Sequence, residues 1–280
     1  MKKTMIFSLC LSVLAACGSG IEKKANEKLS AARSAYERAN YDEAKREIDS
    51  IKILYPKAFE ARKAGQALLM EVEERAQQRR IAVLDSALGL RQQAFEAIKG
   101  KYKLEKDDEY QTTGNYLWPT QTVEKNLHRS FLRFQVSEKG VMSMTSIYCG
   151  SGSIHHTGVK VTVPDGSFAQ TPASKDSYET TDMGEKIEKS DYKLGEDGGV
   201  IKFLALNKDK NIRVEYIGER KYATTMHPAD RTAAAEVYGL AKILSEMDSI
   251  RSEKEKAQLK IDFIRKKKEY KKDSEEKAGK

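Results

Sequence analysis

The spacing of apolar positions along this chain changes character twice. From residue 25 to 56, Leu29, Ala32, Tyr36 and Ala39 recur at steps of three and four, and beyond Asn40 so do Ala44, Ile48, Ile51 and Tyr55. That spacing marks one face of a helix, so the segment reads as two helices of about fifteen residues joined at Asn40. From Lys57 to about Lys99 no proline interrupts a run of good helix formers, enough for one helix about 60 Å long at ~1.5 Å per residue. Leu84, Leu88, Arg91, Phe95 and Ile98 form its seam, broken once by the arginine.

Between about Asp108 and Met226 helical spacing gives way to short β-rich runs. SFLRFQVS, VMSMTSIYC, GVKVTVP, VIKFLAL, IRVEYIG and KYATTM are separated by turn signals such as SEKG, PDG and EDGG. Leu132, Phe134 and Val136 alternate with a mixed face of Phe131, Arg133 and Gln135. An antiparallel sandwich or partial barrel is expected, with residues 171–196 as a long, mobile, charged loop. A third region opens at Pro228, suited to a first helical position. Its helix carries a seam of Ala234, Val237, Ala241, Leu244 and Met247 and fades after about Tyr270.

The expected fold class is therefore α+β. An N-terminal helical hairpin and two long antiparallel helices form a stalk, and an antiparallel β-head is inserted between those helices. Matching seams sets Phe95 opposite Val237, Leu88 opposite Leu244, Leu84 near Met247 and Leu68 toward Ile264. The expected boundaries are a signal peptide over 1–16 and a flexible leash over 17–24. Helices follow over 25–100, the β-domain over 101–226, the last helix over 227–270 packing on 57–99, and a disordered basic tail over 271–280.

The beginning of the chain supplies an address. Lys2 and Lys3 precede the apolar run Met5 to Leu14, too short for a bilayer span of about 20 residues and patterned as a secretory signal. It ends in Leu14-Ala15-Ala16-Cys17, which resembles the lipobox of bacterial lipoproteins. The resemblance implies cleavage before Cys17, a diacylglycerol on its sulfur and an acylated amino group. A membrane partner reached through a stable multi-chain anchor at Cys17 then follows. Gly18 stands where a retention aspartate would, which implies the outer membrane. No acidic cluster follows directly, so a periplasm-facing protein is expected, with the cell surface as the alternative.

The first hairpin resembles a tetratricopeptide unit through Ala32, Tyr41, Ala44, Ile48 and Pro56. The family's early aromatic and glycine are missing, and no second copy follows. Arrays need about three repeats to stand alone, so this hairpin must lean on another element.

Composition narrows the rest. Of three cysteines, Cys10 leaves with the signal and Cys17 takes lipid, leaving Cys149 in an apolar run. No intramolecular disulfide remains, and Cys149 reads as a buried small hydrophobe with no local base. The net charge of +8 is concentrated late, as in IRKKKEYKK. Acidic residues are mixed in and the chain is secreted, so nucleic acid is not an expected partner. Protease, Walker A, hydrolase-elbow and CXXC motifs are absent. His155-His156 is the best metal-like feature, but adjacent strand residues face opposite ways. Asp107-Asp108 reads as a solvated boundary. No metal, cofactor or catalytic residue is assigned, and the chain is read as a non-enzyme. Tyr116 and Trp118, in the loop TGNYLWPTQT, are the candidate ligand-binding pair if exposed, since aromatics stack on sugars or close interfaces. The expectation is an envelope lipoprotein binding a protein partner or supporting assembly; the alternative is a glycan or small-ligand binder.

Overall fold

The computed structural model describes residues 13–107 and 109–278, the side chains of 13–19 and 278 excepted. Most of the expected signal peptide, Asp108 and the last two residues lie outside the described part. The fold is α+β: among the described residues there are five α-helices and two antiparallel sheets, of six and four strands. No described helix is long and apolar enough to cross a membrane. The chain divides into two compact units, one of residues up to Ser86 together with Ser252 onward, the other Ala87–Arg251.

The first unit is helical. Helix α1 (Val13–Glu37) and α2 (Tyr41–Leu54) meet at Asn40, whose side-chain oxygen accepts from the Glu43 backbone N–H and so caps α2. Helix α3 (Phe59–Ile98) runs unbroken, as expected. Its Ala61, Leu68 and Val72 close over Ala25, Leu29, Ala32, Ala44, Ile48 and Ile51 of the hairpin. Within this unit α5 (Pro228–Ala278) runs antiparallel to α3, with ion pairs Arg80–Glu253 at 2.9 Å, Glu74–Arg265 at 2.9 Å and Lys63–Glu275 at 3.5 Å. The solitary hairpin thus leans on α3, and Ala257, Ile261 and Ile264 of α5 are buried.

Two expectations fail here. The stretch 17–24 is helix rather than leash, because Ile21 packs on the hairpin cluster and Glu22 accepts from the Ala61 N–H at 2.7 Å. Residues 271–278 continue α5, whose run from Leu240 to Ala278 holds no proline or glycine to stop it.

The second unit holds strands β1 (Lys103–Glu105), β2 (Asn115–Leu117), β3 (Phe131–Ser137), β4 (Met142–Gly150) and β5 (Gly158–Thr162). There follow β6 (Phe168–Gln170), β7 (Ser177–Asp182), β8 (Glu185–Lys193), helix α4 (Val200–Leu206), β9 (Arg213–Ile217) and β10 (Tyr222–Thr225). The sheets are ordered β1-β2-β3-β4-β8-β7 and β10-β9-β5-β6. Phe134, Met144, Val161 and Tyr216 share one core with Ala234, Val237, Leu240 and Leu244 of α5. Leu88, Phe95 and Ile98 of α3 pack on that core, and Arg91 pairs with Glu246 of α5 at 2.6 Å. The division between the units falls within both long helices, near Ser86 and Ser252.

Three further expectations are corrected. VIKFLAL is helix α4, not a strand. Asp197 caps it by accepting from Ile201 N at 2.6 Å, Gly198 and Gly199 turn the chain in at positive φ, and a short buried apolar run carries no period of its own. The supposed loop over 171–196 is the β7–β8 hairpin, turned by Met183 and Gly184 at φ 48° and 87°. Its inward positions Glu188, Ser190 and Tyr192 are buried, so the strand alternates in burial but not in hydrophobicity. Within TGNYLWPTQT, Asn115–Leu117 is strand β2 rather than loop.

Candidate functional site

The outward face of the six-stranded sheet carries an apolar hollow. In register, Phe131 pairs with Ile147 and Ile147 with Lys189, while Cys149 pairs with Ile187. Alternation therefore places Phe131, Ile147, Cys149 and Ile187 on one face. They floor a hollow of about 120 Å³ walled by Val123 and Leu127. Those two walls are 55% and 59% exposed. The rim carries basic side chains, His128, Arg129, Arg133 and Lys189, of which the first three pair with Glu185, Asp230 and Glu105.

The wall is held in place by a polar network. Asn126 Nδ2 donates to the Thr120 and Thr122 carbonyls at 2.8 and 2.7 Å, and its Oδ1 accepts from Arg129 Nε at 2.8 Å. Arg129 forks onto both oxygens of buried Asp230 at 2.7 and 2.9 Å and lies 4.7 Å over the Phe131 ring. Gln121, fully buried, donates to the same Asp230 and accepts from Phe134 N. A planar guanidinium is the group that fits both the carboxylate fork and the ring face. Arg133 donates to Glu105 through Nη2 at 3.0 Å, while its buried Nε has no hydrogen-bond partner among the described residues.

Acid, base and thiol meet here in an order that does not make a nucleophile. His128, at φ 58°, places Nδ1 2.5 Å from Glu185 Oε2. The Glu185 hydrogen bond and charge raise the His128 pKa, and the same hydrogen bond holds Glu185 below its usual value. Cys149 is half-buried rather than buried as expected, because it points to the outward face. Burial, then the hydrogen bond to Glu185 and its charge, push the thiol pKa up. A carboxylate stands between imidazole and sulfur, so the thiol is kept protonated rather than activated.

His155 and His156 lie in the β4–β5 connection, one exposed and one buried. His155, Glu179 and Glu188 come close enough to suggest a cation site. Glu188, however, has all four lone-pair directions engaged. Oε1 accepts from Ile154 N and His155 N at 2.6 and 3.0 Å, and Oε2 faces His156 N and Nδ1 at 2.9 and 3.0 Å. Burial opposes its charge, but these bonds outweigh it and the carboxyl pKa is lowered. His155 spends Nδ1 on Glu179 at 2.9 Å. The group fits a structural clasp, not a metal ligand set.

Tyr116 and Trp118 are half-buried and packed on the core. Trp118 meets Tyr102 edge-on at 5.4 Å and Tyr116 meets Phe95 at 5.7 Å. These contacts tie β2 to the end of α3 instead of presenting a flat pair. Asp107 accepts from Glu109 N and from the Gln111 region as a local turn. The sheet-face hollow was not singled out from sequence, although the mixed face Phe131-Arg133 was its visible trace. No protein-family model, curated protein or solved structure matches the chain.

Proposed function

We propose that this chain is a non-catalytic lipoprotein of the bacterial cell envelope that holds a protein partner on the outward face of its six-stranded sheet. Cys17 carries the lipid anchor in the outer membrane, with the rest of the chain facing the periplasm. The observation that carries the partner reading is the apolar hollow of Phe131, Ile147, Cys149 and Ile187, open between Val123 and Leu127 and edged by basic side chains and their carboxylate partners. An apolar centre with a charged rim is the anatomy of a protein contact. The glycan reading has a different foothold, a polar cleft of about 320 Å³ that includes Tyr222, Thr224 and His227. It lacks the stacking platform, since Trp118 is engaged by Tyr102. The test is a photo-crosslinker placed in cells at Leu127 and, as control, at Leu206, which is 71% exposed elsewhere on this unit. A discrete adduct at Leu127 that disappears with Ile187→Glu is expected. Equal labelling at both positions overturns the reading.

A further inference from the structure

We infer that the corner joining α2 to α3 is a membrane-contact surface, taking the headgroup region of an anionic phospholipid bilayer. The inference rests on the lipoprotein reading for the anchor, and its geometry comes wholly from the first unit. The corner reads Lys52-Ile53-Leu54-Tyr55-Pro56-Lys57-Ala58-Phe59, with the acidic residues Asp49 and Glu60 lying just outside it. Ile53, Leu54 and Phe59 are 75%, 59% and 71% exposed. Three large apolar side chains turned outward at one corner form a patch that water alone does not explain.

The corner is rigid, so the exposure is built in. Ala58 is buried and Tyr55 packs on the hairpin cluster. Ala58 N donates to the Tyr55 carbonyl at 3.0 Å, and Arg62 Nη1 donates to the Pro56 carbonyl at 2.6 Å. Tyr55 and Ala58 thus face in while their neighbours face out. Lys52 and Lys57 flank the apolar group and are exposed, with no ion pair among the described residues. Apolar side chains between lysines suit an interface where hydrocarbon lies just below anionic headgroups.

The anchor lies at this same end. Glu22 of α1 accepts from Ala61 N at 2.7 Å, two residues beyond Phe59. Cys17 precedes Glu22 in the same helix by five residues, about 7.5 Å along its axis. A lipid on Cys17 therefore brings the bilayer to the side of the first unit where Phe59 is exposed. The anchor holds the chain, and the corner adds a second contact that orients it.

The experiment uses the full lipidated protein, purified from its membranes and reconstituted into vesicles containing brominated phosphatidylglycerol. Tryptophan is introduced as Phe59→Trp or, as control, Val83→Trp, a position 63% exposed on α3 of the same unit; the native Trp118 gives the common background. Quenching is expected at 59 and not at 83. In parallel, unlipidated Cys17→Ser chain is expected to sediment with phosphatidylglycerol vesicles and not with phosphatidylcholine. Lys52→Gln and Lys57→Gln should each weaken that sedimentation by about fivefold. Acyl mass present with no quenching at 59 overturns the membrane corner and leaves the lipoprotein reading standing. Acyl mass absent overturns the lipoprotein reading, and the unlipidated sedimentation then decides the corner: binding supports it, none overturns it.

Discussion

Glu188 Oε2 lies 3.0 Å from Nδ1 of His156, and both side chains are closed off from water. Around this pair three consecutive backbone N–H groups, of Ile154, His155 and His156, converge on one carboxylate. The β4–β5 connection is thereby wrapped around a side chain of β8. Glu188→Gln keeps the shape but turns an amide N–H₂ toward donors. The expected loss is about 3 kcal/mol, the cost of breaking a buried charged contact, read from urea unfolding. A loss below that of the exposed control Glu179→Gln would mean the clasp is not the organising contact.

The seam between α3 and α5 in the second unit gives the next expectation. Leu244 is 3% exposed in the core on which Leu88 packs. Leu244→Ala is expected to cost about 2–4 kcal/mol, and Leu244→Glu more, since an unpaired carboxylate cannot be buried cheaply. Leu90→Ala, at a position 68% exposed, should change thermal stability by no more than about 0.5 kcal/mol.

Gly140 sits at φ 81°, and a Cβ there would lie 2.1 Å from the backbone nitrogen of Ser245. The β3–β4 turn therefore touches the α5 backbone directly. Gly140→Ala faces both a left-handed backbone and a backbone clash, so a loss of about 2 kcal/mol or more is expected. Gly166→Ala, at φ 86° with open space around it, meets only the first penalty. Comparing their melting curves separates the two causes.

His128 and His155 are raised above the ordinary histidine value by hydrogen bonds to Glu185 and Glu179, with the carboxylate charges adding. A raised folded-state pKa means stabilisation that is complete below about pH 6.5 and lost as pH rises through the folded value. Both glutamates belong to the β7–β8 hairpin. Hydrogen exchange in that hairpin should be slower near pH 6 than near pH 8 after correction for intrinsic rates. His128→Gln with His155→Gln should flatten the difference, and an unchanged pH response in the double variant would exclude these pairs as its source.

Cys17→Ala is expected to leave an unlipidated protein that partitions into the aqueous phase in detergent separation. Wild-type protein already aqueous and free of acyl mass would remove the anchor.

The sequence by itself determined what local chemistry controls. Asn40 capping α2, the uninterrupted run of α3, Pro228 opening α5 and the alternation of Leu132, Phe134 and Val136 all follow from spacing and residue type. So did the antiparallel direction of the long helices, because matching apolar seams leave few ways to be buried. Tertiary structure decided the rest. Val200–Leu206 became a helix because Asp197 and two left-handed glycines cap it, a choice its short apolar run could not express. Glu185–Lys193 became a central strand although its buried positions are Glu188, Ser190 and Tyr192; only distant donors make those polar groups acceptable inside. The floor of the hollow, Phe131, Ile147, Cys149 and Ile187, is drawn from three strands. Its members are far apart in the chain, and cross-strand register is a property of the folded sheet.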